Sequence, residues 1–153
     1  MSEKVVVAEL VPHAGTMCLL ERVLRWDERG ATVATRSHAA RDNPLRRDGR
    51  LSALCLCEYG AQAMAVHGAL IARAAGRSLR PGLLVSLREV RVAPRSVESL
   101  SGELLVSIER LADGDAGLQY RFTVSHGSGR LAEGRAAIIE SRLAAPAPAP
   151  PPK

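Results

Sequence analysis

Residues 51–76 read LSALCLCEYGAQAMAVHGALIARAAG, and this stretch decides the architecture. Its apolar residues run nearly all the way round a helical projection, which predicts a helix over 52–75, about 36 Å long at ~1.5 Å per residue. A helix apolar on every side has to be covered on most of them. Within it, Glu58 and Gln62 stand one turn apart and project from the same face. A carboxylic acid and an amide therefore meet at one point of an apolar wall. Either they line a pocket or they satisfy each other in the core.

Working outward, RDNPLRRDGR (41–50) is charged and broken by Pro44 and Gly49, a loop that delivers the chain to the helix. Before it, ERVLRWDE (21–28) and ATVATRSH (31–38) alternate apolar and polar residues on either side of Arg29-Gly30 and predict a hairpin. Val5 to Leu10 is a short β-branched run, expected as a strand, and Gly15 to Leu20 is expected to form one or two helical turns. After the helix come LLVSLREVRV (83–92), SGELLVSIERL (101–111), LQYRFTVSHG (118–127) and RLAEGRAAIIES (130–141), the last three joined by Gly and Asp turns. Their order suggests an antiparallel meander. The whole predicts an α+β domain over residues 1–143, a curved antiparallel sheet with the long helix against its concave face. Residues 144–153 are rich in proline and alanine and are expected to be an extended, disordered tail.

At 153 residues the chain suits one domain. Aromatic residues make up only 3%, which argues against stacking of nucleic-acid bases. The net charge of +5 comes almost wholly from arginine, scattered rather than run together, a pattern suited to a small acidic or phosphate-bearing partner. The three cysteines, Cys18, Cys55 and Cys57, lie in apolar runs without CxxC spacing, so neither a disulfide framework nor a zinc site is expected. No secretory leader or membrane span is read from the chain, and a reducing cytoplasm is the expected compartment.

Two motifs then carry a resemblance. The segment LVPHAGTMCLLERV (10–23) is similar to the N-terminal LPHR-P-M/F-LL-DRV segment of the hot-dog-fold 3-hydroxyacyl-[acyl-carrier-protein] dehydratases, through Pro12, His13, Met17, Leu19, Leu20, Glu21, Arg22 and Val23. Glu58, Ala61 and Gln62 match that family's E-x-x-A-Q helix signature. The PH-x-G-x-M opening resembles most closely the dehydratase-like proteins of aryl-polyene clusters. The resemblance covers about residues 8–140 and implies a hot-dog fold, its curved sheet wrapped around one central helix. It also implies dehydration of 3-hydroxyacyl thioesters held on an acyl carrier protein, no cofactor, no metal, and a homodimer or a heterodimer with a related subunit. The dimer agrees with the residues themselves, since so apolar a helix and so long a strand as GLLVSLREVRV leave surface and sheet edge to cover.

One departure bears on the chemistry. The family's catalytic histidine lies in an HFPG loop before the helix, whereas RDNPLRRDG holds none. His13 is the expected replacement and His38 the alternative. His67, nine residues from Glu58, falls on the opposite side of the helix, and His126 in the HGSG turn is expected in solvent. Dehydration needs a base for the proton beside the carbonyl and an acid for the departing hydroxyl. His13 would be the base and Glu58 the acid, its carboxyl set in an apolar wall that favours the protonated form. Pro12, Gly15, Met17 and Gln62 are expected to contact substrate, and Gln62 either orients Glu58 or makes a structural hydrogen bond across the dimer. Arg46, Arg47, Arg88, Arg91 and Arg95 are expected contacts for the carrier protein. A non-catalytic hot-dog subunit and an acyl thioesterase stand as alternatives.

Overall fold

The computed structural model describes residues 7–10, 15–77, 82–114 and 117–140. Six strands form one antiparallel sheet around one long helix: β1 (Arg22–Trp26), β2 (Gly30–Thr35), α1 (Leu56–Ala74), β3 (Gly82–Val92), β4 (Leu104–Gly114), β5 (Gly117–His126) and β6 (Gly129–Glu140). The spatial order is β1-β2-β4-β5-β6-β3. The last three strands do form the expected meander. The helix, however, carries the chain from β2 to the far edge, where β3 pairs with β6; β4 then returns beside β2.

Alternation sets the faces of the sheet. Leu104, Val106 and Ile108 of β4, Tyr120, Phe122 and Val124 of β5, and Ala132 and Ala136 of β6 are all buried, each at every second position. They pack against Leu56, Tyr59, Ala63, Met64, Val66 and Leu70 of α1 in one core. The β1–β2 turn is tied by Asp27 Oδ1, which accepts from Arg29 N at 2.7 Å and Gly30 N at 3.0 Å, as short acidic side chains do in turns.

The helix starts after a 3-10 turn at Ala53–Cys55, where Ser52 Oγ accepts from Leu54 N at 3.3 Å. It ends at Gly76, whose φ of 68° lets Arg77 N reach back to the Ala72 carbonyl at 2.8 Å. Residues 53–74 are long and apolar enough to cross a membrane, yet more than half of that stretch is buried within the protein. The strand expected over 5–10 is not formed where it is described: Val7–Glu9 make a 3-10 turn, with Val7 buried in the core. Gly15–Met17 form a single 3-10 turn, the lower end of the one or two turns expected over 15–20, and an extended strap follows to residue 21. The tail lies outside the described residues.

Strand β3 is the outer edge next to β6, and Leu83, Leu84, Val85 and Leu87 on it are each more than two-fifths exposed. Register shifts between Leu84 and Ser86 and between Arg88 and Arg91 mark two bulges against β6. At the second, Glu89 takes a left-handed φ of 52°.

Candidate functional site

Glu58 lies in the first turn of α1, half-buried, at the head of a partly uncovered stripe that continues through Ala61, Ala65 and Gly68. These positions follow helical spacing, so the acid stands at one end of a row of small side chains. Gln62, one turn on, is 1% exposed. Its Oε1 accepts from Leu19 N at 2.9 Å, and its Nε2 donates to the Met17 carbonyl at 2.7 Å. A longer contact, 3.4 Å, runs from Nε2 to Glu58 Oε1. The amide thus clips the 17–19 strap to the helix and lies against the carboxylate beside it. Both readings of the pair meet here: Glu58 faces a partly open stripe, and Gln62 spends its amide on the backbone of its own chain rather than across a dimer, because the 17–19 strap passes directly over it.

The Leu19 peptide is held from both ends. Its carbonyl accepts from Thr35 Oγ1 and from Ser37 Oγ, each at 2.6 Å. Ser37 Oγ in turn lies 2.8 Å from the Tyr59 hydroxyl, which accepts from Asn43 Nδ2 at 3.0 Å. Because Ser37 spends its proton on Leu19, the tyrosine donates to Ser37, and burial holds its phenol above its ordinary pKa so that it keeps that proton. Tyr59, Ser37, Asn43 and Thr35 did not stand out in the sequence. The one available signal was a tyrosine inside an apolar helix beside the glutamate, since buried tyrosine hydroxyls find partners.

The histidines separate clearly. His13 lies outside the described residues, as does Pro12. His38, expected at a strand end, sits in a 3-10 turn after β2, fully buried, with Nε2 2.8 Å from the Leu100 carbonyl and Nδ1 without a hydrogen-bond partner. Burial holds its pKa below the ordinary value. His67 is a core residue on the far side of the helix from Glu58, with Nδ1 2.9 Å from the Tyr120 hydroxyl and Nε2 2.8 Å from the Asp27 carbonyl. His126 is only partly exposed and bonds the Ser101 carbonyl, so its ring is not loose in solvent as expected.

Of the other expected contacts, Gly15 is exposed and Met17 half-buried on the strap. The arginines fall into two groups. Arg46 is half-buried and braces its own loop, donating to the Gly49 and His38 carbonyls, while Arg47 caps the Pro44 and Arg46 carbonyls and is exposed. Arg95 is exposed nearby, its carbonyl accepting from Ala53 N at 3.1 Å. Arg88 and Arg91 stand apart on β3. Burial raises the pKa of all three cysteines and keeps their thiols protonated. Among the described residues no three His, Cys, Asp or Glu side chains gather as a metal site.

Against known proteins, residues 5–147 match the ApeP-like family, described as ApeP dehydratase. The dehydratase heterocomplex ApeI:P from Xenorhabdus doucetiae superposes with a TM-score of 0.81 at 20% identity, covering 92% of this chain and 94% of that one. A hypothetical thioesterase with coenzyme A from Streptococcus pneumoniae TIGR4 gives 0.57 at 10% identity, over 78% and 84% of the two chains. AziG of S. sahachiroi gives 0.57 at 20% identity, over 88% and 99%. No curated protein sequence is significantly similar. At these identities the structural likeness is one of fold, and the fold is the hot-dog.

Proposed function

Because the chain belongs to the ApeP-like dehydratase family, we propose that it removes water from 3-hydroxyacyl thioesters carried on an acyl carrier protein, leaving the 2-enoyl thioester. The observation that carries this reading is the placement of Glu58, a half-buried acid at the head of the stripe Ala61, Ala65 and Gly68, beside the clip that fixes the 17–19 strap. The small residues leave room for an acyl chain along the helix, with its reacting end at the carboxyl. His13, four residues before Met17 on the segment leading into that strap, takes the proton beside the carbonyl. Glu58 protonates the departing hydroxyl, which leaves as water while the electron pair of the broken C–H bond forms the double bond. Proton transfer from His13 back to Glu58 then resets the pair. Gln62 contributes by holding the strap and lying against Glu58.

A dimer belongs to the same proposal. Leu84 and Leu87 pair in register with Ile138 and Ala136 on the helix side of the sheet, yet remain 49% and 42% exposed. Apolar surface on an unpaired edge strand calls for a partner, either a second copy or a related hot-dog subunit.

The second reading, a non-catalytic partner subunit, is favoured by one specific observation: the loop 41–50 has no histidine and His38 is buried on the Leu100 carbonyl. The neighbouring ApeI:P structure is a heterocomplex, which fits this alternative too. Incubating the purified protein with a 3-hydroxyacyl carrier protein and following the acyl mass separates the cases. Loss of water supports the dehydratase, no change supports the partner subunit, and release of free acid points to a thioesterase.

A further inference from the structure

The outer face of the sheet carries a row of charge that packing does not explain. Cross-strand register places Glu109 of β4 opposite Arg121 of β5, Arg121 opposite Arg135 of β6, and Arg135 opposite Arg88 of β3. Like charges set directly opposite one another destabilise a sheet, and here three guanidiniums stand side by side. Carboxylates offset only part of the row. Arg121 Nη1 lies 3.3 Å from Glu109 Oε2, and Arg135 Nη1 lies 3.7 Å from Glu89 Oε2. The second is too long for a strong charge-assisted hydrogen bond. Among the described residues, no carboxylate pairs with Arg88.

The neighbouring row completes a site. Gln119 of β5 and Ser86 of β3 flank Ala137 of β6 in register. A concavity of about 380 Å³ opens over this alanine, lined by Ser86, Arg88, Glu89, Gln119 and Arg135. Ala137 lies between the amide and the hydroxyl, Arg88 and Arg135 stand one row on, and Val85 and Ala136 add apolar surface to the lining. We propose that this concavity binds a phosphate-type anion, bridged by Arg88 and Arg135. Two adjacent guanidiniums favour a phosphate dianion over a single carboxylate, because each can meet two oxygens of a tetrahedral group. Gln119 and Ser86 supply further donors. Glu89, held at the bulge, occupies one arginine weakly and is displaced by the ligand. The site is on the face of the sheet opposite Glu58 and stands independently of the reaction proposed above.

The test is calorimetric titration of the full chain at low ionic strength with inorganic pyrophosphate and, separately, with 4′-phosphopantetheine. Arg88→Gln and Arg135→Gln should each weaken binding about ten-fold or more, Arg88→Lys should weaken it less, and Glu89→Gln should tighten it. Arg25→Gln removes the same charge from β1 and should change nothing. Equal affinity for the two ligands means the phosphate group alone is read, and tighter binding of phosphopantetheine means an organic phosphate is the ligand; either supports the site. The proposal is overturned if neither ligand binds at millimolar concentration, or if Arg25→Gln weakens binding as much as Arg88→Gln, which would mark attraction to net charge alone.

Discussion

Gly60 of α1 and Phe122 of β5 share one space: a Cβ added at residue 60 would lie 2.7 Å from the ring Cγ. Gly134 of β6 meets the same ring from the other side, where a Cβ would lie 2.7 Å from Cε1. The fully buried ring is therefore seated between two residues without side chains, and it sets how closely the helix approaches the sheet. Gly60→Ala should lower stability by about 1–2 kcal/mol net, because a contact this short against a fully buried ring takes the upper part of the overpacking cost, about 2–3 kcal/mol, while helix propensity returns nearly 1. Urea unfolding measures this, and a neutral or stabilising result would show that the helix can simply shift.

Gln62→Leu tests the clip. It keeps the volume but leaves the Leu19 N–H and the Met17 carbonyl without their partners, at an expected cost of about 2–4 kcal/mol. A loss below half a kcal/mol would mean that solvent reaches the strap and replaces the amide.

Glu58→Gln and His13→Ala should each lower dehydration by about 10²–10⁴-fold, the range for a positioned acid or base, with little change in melting temperature. His38→Ala should leave turnover of the folded protein nearly intact but reduce stability, since His38 is fully buried on the Leu100 carbonyl. If His38→Ala abolishes turnover and His13→Ala does not, the base has been assigned to the wrong ring.

Acid should weaken the fold through two imidazoles. Burial holds the pKa of His38 and of His67 below 6.5, so each stays neutral in the fold and takes a proton more readily once the chain is unfolded. The stability they contribute is complete above about pH 6.5 and is lost as pH falls from there toward the folded values. Two such groups give a slope of at most about 2.7 kcal/mol per pH unit. Denaturant titrations at pH 7.5 and 5.5 should show the decline, and His67→Gln should make it shallower; equal stability at both values would contradict it.

Much of the fold was legible because it rests on local periodicity. The run 51–76 announced its helix, and alternation announced β4, β5 and β6, whose inward residues are those buried. The strand order was not legible, since nothing in LLVSLREVRV says that it pairs with β6 at the far edge rather than with the strand that follows it. Its bulges were equally hidden, because an extra residue leaves the composition unchanged while turning side chains to new faces. Of the site, the one-turn spacing of Glu58 and Gln62 could be read directly. Gln62's partners could not, for Leu19 and Met17 lie more than forty positions away, and a side chain's bond to a distant peptide leaves no pattern in either segment.

The Leu19 peptide belongs to no strand ladder; side chains from α1, from the end of β2 and from the turn after it hold it in place. An amide proton secured in this way exchanges with solvent when the strap lifts, and it does not need the helix or the sheet to open. Its exchange rate is thus a clock for local opening, separable from the much slower exchange of core amides that wait for global unfolding. The molecule carries, in one backbone N–H, its own gauge of how often the 17–19 strap leaves the helix that bears Glu58.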